Sequence, residues 1–452
     1  MTGTQSTAVS VLRDVRPWGG PSVDLTISDG IITAIDAHVA SPSAPGEQPT
    51  ASAAAVAGAG SGTGASTGGT AGTAGPAGPA GTAGTAGTAG TAGTAGTVVD
   101  GRGLLALPGF VNAHAHVDKS WWGKPWVSYG GEATTQGRIA HERAHRDELG
   151  IPGTDVTLRV LRELLRHGTT AIRTHVDVDL GLGARGIDVV REALAELGGA
   201  ITAEIVAFPQ DGVLRRPGVI DLLDQAAAAG AEHIGGLDPA SIDRDPVGQL
   251  DALFDVAGRH GVGIDLHLHD GGALGAFQIE LIVERTLRTG LQGKVNVAHG
   301  FAVGELPPSQ QRDLVAAMGE AGVSMTTVAP IGAAPLPVAL LEEHGVSVGL
   351  GTDGIRDLWS PYGTGDLLAL TTRLAQQTRL RYDEDLVHAA RIATSAAASF
   401  VGRETHDLVV GARADVVLVD AENVPDAVVR APRRDLVVAG GRVVVRDGEV
   451  LV

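Results

Sequence analysis

The sequence predicts an α/β fold, a (β/α)₈ barrel carrying a small β-sandwich domain formed from both chain ends. Three observations carry this. Eight apolar strand candidates recur at 105–117, 169–179, 201–208, 233–238, 262–269, 294–299, 323–329 and 346–352. Amphipathic stretches such as "DVTLRVLRELLRHG" and "PGVIDLLDQAAAAG" separate most of them. Both ends of the chain read as short strands punctuated by turn residues.

Each element has a local reason. The helices stop at Gly168, Gly198, Gly230, Gly261, Gly290, Gly322 and Gly345, because glycine just past a helix end takes the left-handed conformation without a steric cost. Eight strand–helix units in succession are the pattern of a closed parallel barrel. An open doubly wound sheet is the alternative, but no Gly-rich phosphate loop follows the first strand. The segments "VDLTISDGIITAIDA" and "VVDGRGLLALPGFVNAHAHVD" flank a tract of Ala, Gly, Thr, Ser and Pro. That tract has no aromatic residue and almost no charge, so it cannot bury enough apolar surface to offset its ordering entropy. The expected organisation is therefore 1–39 and 98–107 in the sandwich, 40–97 as a disordered insertion, 108–402 as the barrel, and 403–452 completing the sandwich.

Composition narrows the function. The 452 residues carry 52 acidic and 34 basic side chains, a net charge of −18. Such a chain has no footprint for nucleic acid, which needs clustered Lys and Arg. There is no cysteine, so disulfides, thiolate metal sites and a Cys nucleophile are excluded. No stretch reaches the roughly 18 apolar residues of a membrane span, and the N-terminus lacks a secretory pattern. A cytoplasmic, homo-oligomeric protein with no membrane partner is expected.

In a barrel of this type the active site lies at the C-terminal ends of the strands. Polar residues concentrate there: His114 and His116, His175, Asp177 and Asp179, His267 and His269, His299, and Asp353. Because strand side chains alternate, His114 and His116 point to one side and can grip one ion together. The other histidines have bland explanations. His167, His260 and His344 precede capping glycines, where a partly charged imidazole suits the helix C-terminus. His141 and His145 sit on a polar helix face. Imidazole with carboxylate suits Zn²⁺ or Fe²⁺.

The order His-x-His, His, His, Asp at the ends of strands 1, 5, 6 and 8 resembles the amidohydrolase superfamily. Within it, "RTHVDV" (173–178), "EIVAFPQDGVL" (204–214) and "GTDGIRDLWSPYGT" (351–364) resemble cytosine deaminase. The resemblance implies that His114, His116, His267 and Asp353 bind one divalent metal, with His299 beside the water it activates. It implies that Gln210 hydrogen-bonds a pyrimidine-type ring and that Trp359 lines the pocket. Relatives with two metals use a carboxylated lysine, usually from strand 4. The three lysines here are Lys119, Lys124 and Lys294, none of them on that strand, so the site is mononuclear.

Three positions depart from cytosine deaminases. Asp270 stands where the strand-5 motif has Glu, Gly354 follows Asp353 where a second acid is usual, and Lys119 replaces a common Thr in the substrate region. The expected reaction is release of ammonia from a cyclic amidine, with Asp353 as base and Asp270 as proton shuttle. His269 shares the inward face of His267 and either assists or replaces Asp270, or fills the barrel. The rivals are hydrolysis of a cyclic amide or an N-substituted triazine-type amine, and an inert metal-binding scaffold. The partner in the first two is a small nitrogen heterocycle. Deleting 40–97 is expected to leave melting temperature and activity nearly unchanged, which thermal unfolding of the clean deletion checks.

Overall fold

A computed structural model describes residues 7–39 and 97–452. The expected disordered insertion lies outside the described residues, apart from Thr97, which opens a strand.

The chain ends build one eight-stranded sheet. Its strands are β1 (Thr7–Pro17), β2 (Val23–Ser28), β3 (Ile31–Ala37) and β4 (Thr97–Pro108) from the N-terminal side. The barrel strands β5 to β13 follow. The C-terminal side then adds β14 (Val416–Val419), β15 (Arg434–Ala439), β16 (Arg442–Arg446) and β17 (Glu449–Val450). The order is β17-β16-β15-β14-β4-β1-β2-β3, and β16 also pairs with β1, so the sheet curls back on itself. Leu12, Val15, Leu25, Ile32, Val416 and Val438 fill a core of its own.

The second sheet is wholly parallel. It runs through β5 (Phe110–His116), β6 (Thr169–Asp177), β7 (Thr202–Phe208), β8 (His233–Leu237), β9 (Gly263–Leu268), β10 (Val295–His299), β11 (Val323–Thr327), β12 (Val348–Leu350) and β13 (Asp353–Gly354). The last two are one strand interrupted at Gly351–Thr352. β12 pairs with β11 and β13 pairs with β5, which closes the ring. The closure depends on Gly351, because a Cβ there would lie 2.4 Å from the Cβ of His114. Strands β5, β6 and β9 are buried at every residue, as expected when both faces of a parallel sheet are covered.

Helices cover the outside. They are α1 (Thr135–Leu149), α2 (Thr154–Arg166), α3 (Arg185–Glu196), α4 (Val219–Ala228), α5 (Pro246–His260) and α6 (Gly272–Thr289), then α7 (Phe301–Glu305), α8 (Pro308–Glu320), α9 (Val338–Glu343), α10 (Leu367–Thr378) and α11 (Asp383–Ile392); α12 (Val424–Arg430) packs beside the last two. All seven glycines expected to end helices have positive φ, between 56° and 86°. No helix among the described residues is long and apolar enough to cross a membrane.

One buried ion pair joins the terminal sheet to the barrel. Arg434 of β15, 2 % exposed, donates to Asp366, the N-cap of α10, and to the His167 carbonyl oxygen at 3.0 Å. Burial would raise the Asp366 pKa, but His167 and Arg434 outweigh it and hold the carboxyl at about 2. Asp366→Asn would leave the guanidinium buried without its counter-charge, and a loss of about 3–5 kcal/mol in denaturant unfolding is expected. Because the folded pKa lies below the ordinary aspartate value of 3.8, the wild-type contribution is present above pH 4. It disappears as pH falls through about 2, so the gap between wild type and variant should narrow there.

Candidate metal centre and active site

Strand alternation places the first donors. His114 and His116 project inward from β5, and His267 from β9. His299 ends β10 and Asp353 opens β13, both in the left-handed region with φ of 67° and 60°. That backbone conformation is uncommon outside glycine, and Asp and His are among the residues that tolerate it best. All four histidines are buried.

The donors are spaced for an ion. His116 Nε2 lies 3.2 Å from His267 Nε2. Asp353 Oδ1 lies 3.4 Å from His116 Nε2 and 3.6 Å from His114 Nε2. Ligands at about 2.0–2.1 Å from a tetrahedral zinc-like centre stand about 3.3–3.4 Å apart. The protonation states also match. Burial, with Lys119 adding to it, pushes His116 well below the usual imidazole range. Burial and the neighbouring histidines do the same to His267. Burial would raise Asp353, but the neighbouring His114, with His299 and His116, outweighs it and holds the carboxyl well below the usual carboxylate range. His116 and His267 are thus held toward the neutral form and Asp353 toward the carboxylate, the states in which these groups donate to a metal. Both ring nitrogens of His114 and His299, and Nδ1 of His116 and His267, have no hydrogen-bond partner among the described residues. Each buried polar atom left in that state costs roughly 1–3 kcal/mol. A divalent cation relieves several of them at once, so these residues fit one.

His175, which the sequence placed on strand 2 without a role, stands behind this set. Its ring centre is 4.3 Å from that of His114 and 4.6 Å from that of His267. Its Nε2 lies 3.2 Å from Asp265 Oδ1, and Asp265 also accepts from Arg173 at 3.0 Å and Asn296 at 2.9 Å. Asp265 escaped the sequence reading. Alternation was the available signal, since Arg173 and His175, like Asp265 and His267, sit two apart on one inward face.

The donors open onto a pocket of about 460 Å³. One wall is His116, His267, His269, His299 and Asp353; the other is Lys119, Gln210, Asp357 and Trp359. Phe208 forms its floor, stacked on His267 with centroids 4.2 Å apart. Lys119 Nζ donates to Asp177 at 2.7 Å and to Gln210 Oε1 at 2.5 Å. Gln210 Nε2 donates to Glu142 at 3.0 Å and Asp177 at 3.1 Å, and Trp359 Nε1 to Glu142 at 2.5 Å. Burial alone would lower the Lys119 pKa; Asp177, Glu142 and Asp118 outweigh it and hold the ammonium charged. Burial pushes Asp177 up to about 8, Glu142 adding to it against the pull of Lys119. Glu142, on α1, had no signal in the sequence because no strand end carries it.

The expected placement of Asp270 beside the donors is not found. Ser241 Oγ and Gln278 Nε2 (2.9 Å) donate to its carboxylate, and it does not line the pocket. His269 does. It continues the inward alternation of Asp265 and His267, and Asp270 falls one residue out of phase. His269 Nδ1 lies 2.9 Å from Asp238 Oδ2, and its ring stacks on His299 at 4.4 Å. Burial would lower its pKa, but Asp238 raises it above the ordinary value. The second departure also has a structural counterpart. A Cβ on Gly354 would lie 1.7 Å from Asp357 Oδ2, so the glycine makes room for an acid three residues later. Burial pushes Asp357 up to about 6.

The sequence model described as "Amidohydrolase family" matches residues 97–452. The chain is 30 % identical over 365 residues to the N-isopropylammelide isopropyl amidohydrolase of Pseudomonas sp. (strain ADP), covering 78 % of this chain and 89 % of that protein. The crystal structure of N-isopropylammelide isopropylaminohydrolase from Burkholderia multivorans ATCC 17616 is similar with a TM-score of 0.81 and 37 % identity, over 98 % of this chain and 100 % of that one. The structure of 5-methylcytosine deaminase from Klebsiella pneumoniae, liganded with 5-fluorocytosine, shares the fold at 22 % identity and a TM-score of 0.74, over 97 % and 98 % of the two chains.

Purified protein is expected to carry about one tightly held divalent ion per chain, read by elemental analysis. His116→Ala and Asp353→Ala should each lose it. Two equivalents, or retention of the ion by both variants, would refute the four-donor assignment.

Proposed function

The chain belongs to the amidohydrolase family, and from that premise we propose that it hydrolyses an exocyclic carbon–nitrogen bond on a small oxo-substituted nitrogen heterocycle. The amine released is an alkylamine, as the names of the similar aminohydrolases suggest. Ammonia release from a cytosine-like ring is the second reading, favoured by "VAFPQDG" (206–212). The observation that carries the first is His269, backed by Asp238, on the pocket wall where the cytosine enzymes' glutamate would be expected.

The chemistry divides between the two walls. A Zn²⁺ or Fe²⁺ ion held by His114, His116, His267 and Asp353 supplies, when bound, a water whose pKa falls toward neutrality. Lys119 and Gln210 hold the ring. The two amide protons of Gln210 are engaged by Glu142 and Asp177, and its oxygen faces Lys119. What they offer a ligand is an ammonium proton beside a carbonyl lone pair, the complement of a C=O next to a ring N–H. Asp353 accepts a proton from the attacking water. His299, neutral through burial, hydrogen-bonds the oxygen that adds to the ring carbon. His269, kept basic by Asp238, delivers a proton to the departing nitrogen. The C–N bond breaks, a C–O bond forms, one water is consumed, and the ring keeps an oxo group.

Incubation with N-alkyl hydroxytriazines, cytosine and cyclic ureas, scored for alkylamine and for ammonia, tests this reading. Alkylamine from the N-alkyl hydroxytriazines is expected. Ammonia from cytosine alone would favour the second reading, and no turnover of any ring would overturn both. In the same assay His269→Asn should lower kcat by roughly 10²–10⁴ with metal content intact. Asp270→Asn should cost less than about tenfold, since its carboxylate faces Ser241 and Gln278. The reverse ranking would assign the proton to Asp270.

A further inference from the structure

Asp357 lines the pocket and is only 5 % exposed, yet the chemistry described above makes no use of it. Its two oxygens have different surroundings. Oδ1 accepts from the backbone amides of Trp359 at 2.8 Å and Ser360 at 2.7 Å, which closes the loop. Oδ2 accepts from none of the described residues. It sits over Gly354, where a Cβ would lie 1.7 Å from it. Gly354 is the strand partner of His116, so this oxygen stands at the rim next to the end of β5. Closing the loop occupies one carboxylate oxygen and leaves the other for a ligand.

The barrel order gives that oxygen its neighbours. Gln210 follows β7, Lys119 follows β5 and Asp357 follows β13, and these strands run β7-β6-β5-β13 around the rim. The wall therefore presents in sequence the lone pair of Gln210 Oε1, an ammonium proton of Lys119 and the lone pairs of Asp357 Oδ2. Acceptor, donor, acceptor is the complement of N–H, C=O, N–H. We propose that Asp357 is a specificity-determining residue that accepts a hydrogen bond from a second ring N–H, and that the wall as a whole selects rings with a cyclic ureide edge. The inference rests on the aminohydrolase reading and extends it from two ring-reading groups to three.

Asp357→Asn tests it without opening the loop. The two backbone amides need an acceptor, so the Asn oxygen stays on them and its –NH₂ takes the place of Oδ2. One acceptor becomes a donor at constant shape. The substrates are an N-alkylamino dioxotriazine, whose edge is N–H, C=O, N–H, and an N-alkylcytosine with the same alkyl group, whose edge ends in an unprotonated nitrogen. Assays run at about pH 8, where Asp357, pushed by burial to a pKa of about 6, is a carboxylate. The intrinsic reactivity of each ring cancels when the kcat/KM ratio of the two is compared between wild type and variant. Asp357→Asn should lower the triazine-to-cytosine ratio roughly 10–100-fold, the worth of a hydrogen bond to a charged group, with metal content and melting temperature retained. A ratio that moves less than twofold in the folded, metal-loaded variant would overturn the assignment. Two unreactive ligands decide independently of turnover. By calorimetry the wild type should bind the saturated six-membered cyclic urea about tenfold more tightly than the six-membered lactam, which has CH₂ in place of one N–H. Equal affinities would overturn the role of Asp357 even if the variant failed to fold. Failure of every amino-substituted ring to turn over, with the urea still preferred, would instead bring down the aminohydrolase reading and leave the ureide-reading wall standing.

Discussion

Three donor-atom pairs among His114, His116, His267 and Asp353, 3.2–3.6 Å apart, are the constraint on which the rest of the site depends. Lone pairs at that spacing repel one another unless something positive lies between them. A shared proton satisfies one pair of nitrogens, but not three imidazoles and a carboxylate together. The barrel makes the arrangement possible because its strands deliver side chains from different parts of the chain to one rim. The closure at Gly351 is part of the same geometry, for it brings β13 against His114, and Asp353 follows two residues later.

Three of the basic groups in and behind the pocket are backed by acids. Asp265 stands behind His175, Asp238 behind His269, and Asp177 with Glu142 behind Lys119. Each acid fixes an orientation; at Lys119 and His269 it also overcomes burial, whereas at His175 burial prevails and lowers the pKa to about 4. The outcomes differ because the surroundings differ. Burial dominates at His116 and His267, which stay neutral as donors. At Lys119 and His269 the acids dominate, so one remains a charged anchor and the other a basic proton carrier. Imidazoles pushed toward the neutral form and an imidazole made more basic thus coexist in one pocket without a change of residue type.

What was legible in the sequence follows from the same alternation. Apolar runs ending in polar residues placed all eight barrel strands within a few residues, and glycine placed the helix ends. His114, His116, His267, His299 and Asp353 come together because a parallel barrel converts strand-end position into proximity. The reading lost phase at Asp270. A motif that counts three residues from His267 is blind to period-two alternation, which selects His269. Glu142 was out of reach for a different reason. It reaches the pocket from a helix, and nothing local in "IAHERAH" (139–145) separates an inward glutamate from a solvated one.

The exchange at Gly354 shows how such a site tolerates changes that look severe in sequence. A glycine follows Asp353, yet Asp357 brings a carboxylate to the same pocket through a loop closed by its own bonds to the Trp359 and Ser360 amides at 2.8 and 2.7 Å. Its position requires the glycine, since any side chain at 354 would occupy its place. Burial pushes its pKa up to about 6, whereas Asp353, four positions earlier, is held well below the usual carboxylate range. The convergent His114, His116, His267 and Asp353 allow no such freedom, because their crowded lone pairs must share one positive centre. The wall with Lys119, Gln210 and Asp357 carries no equivalent constraint.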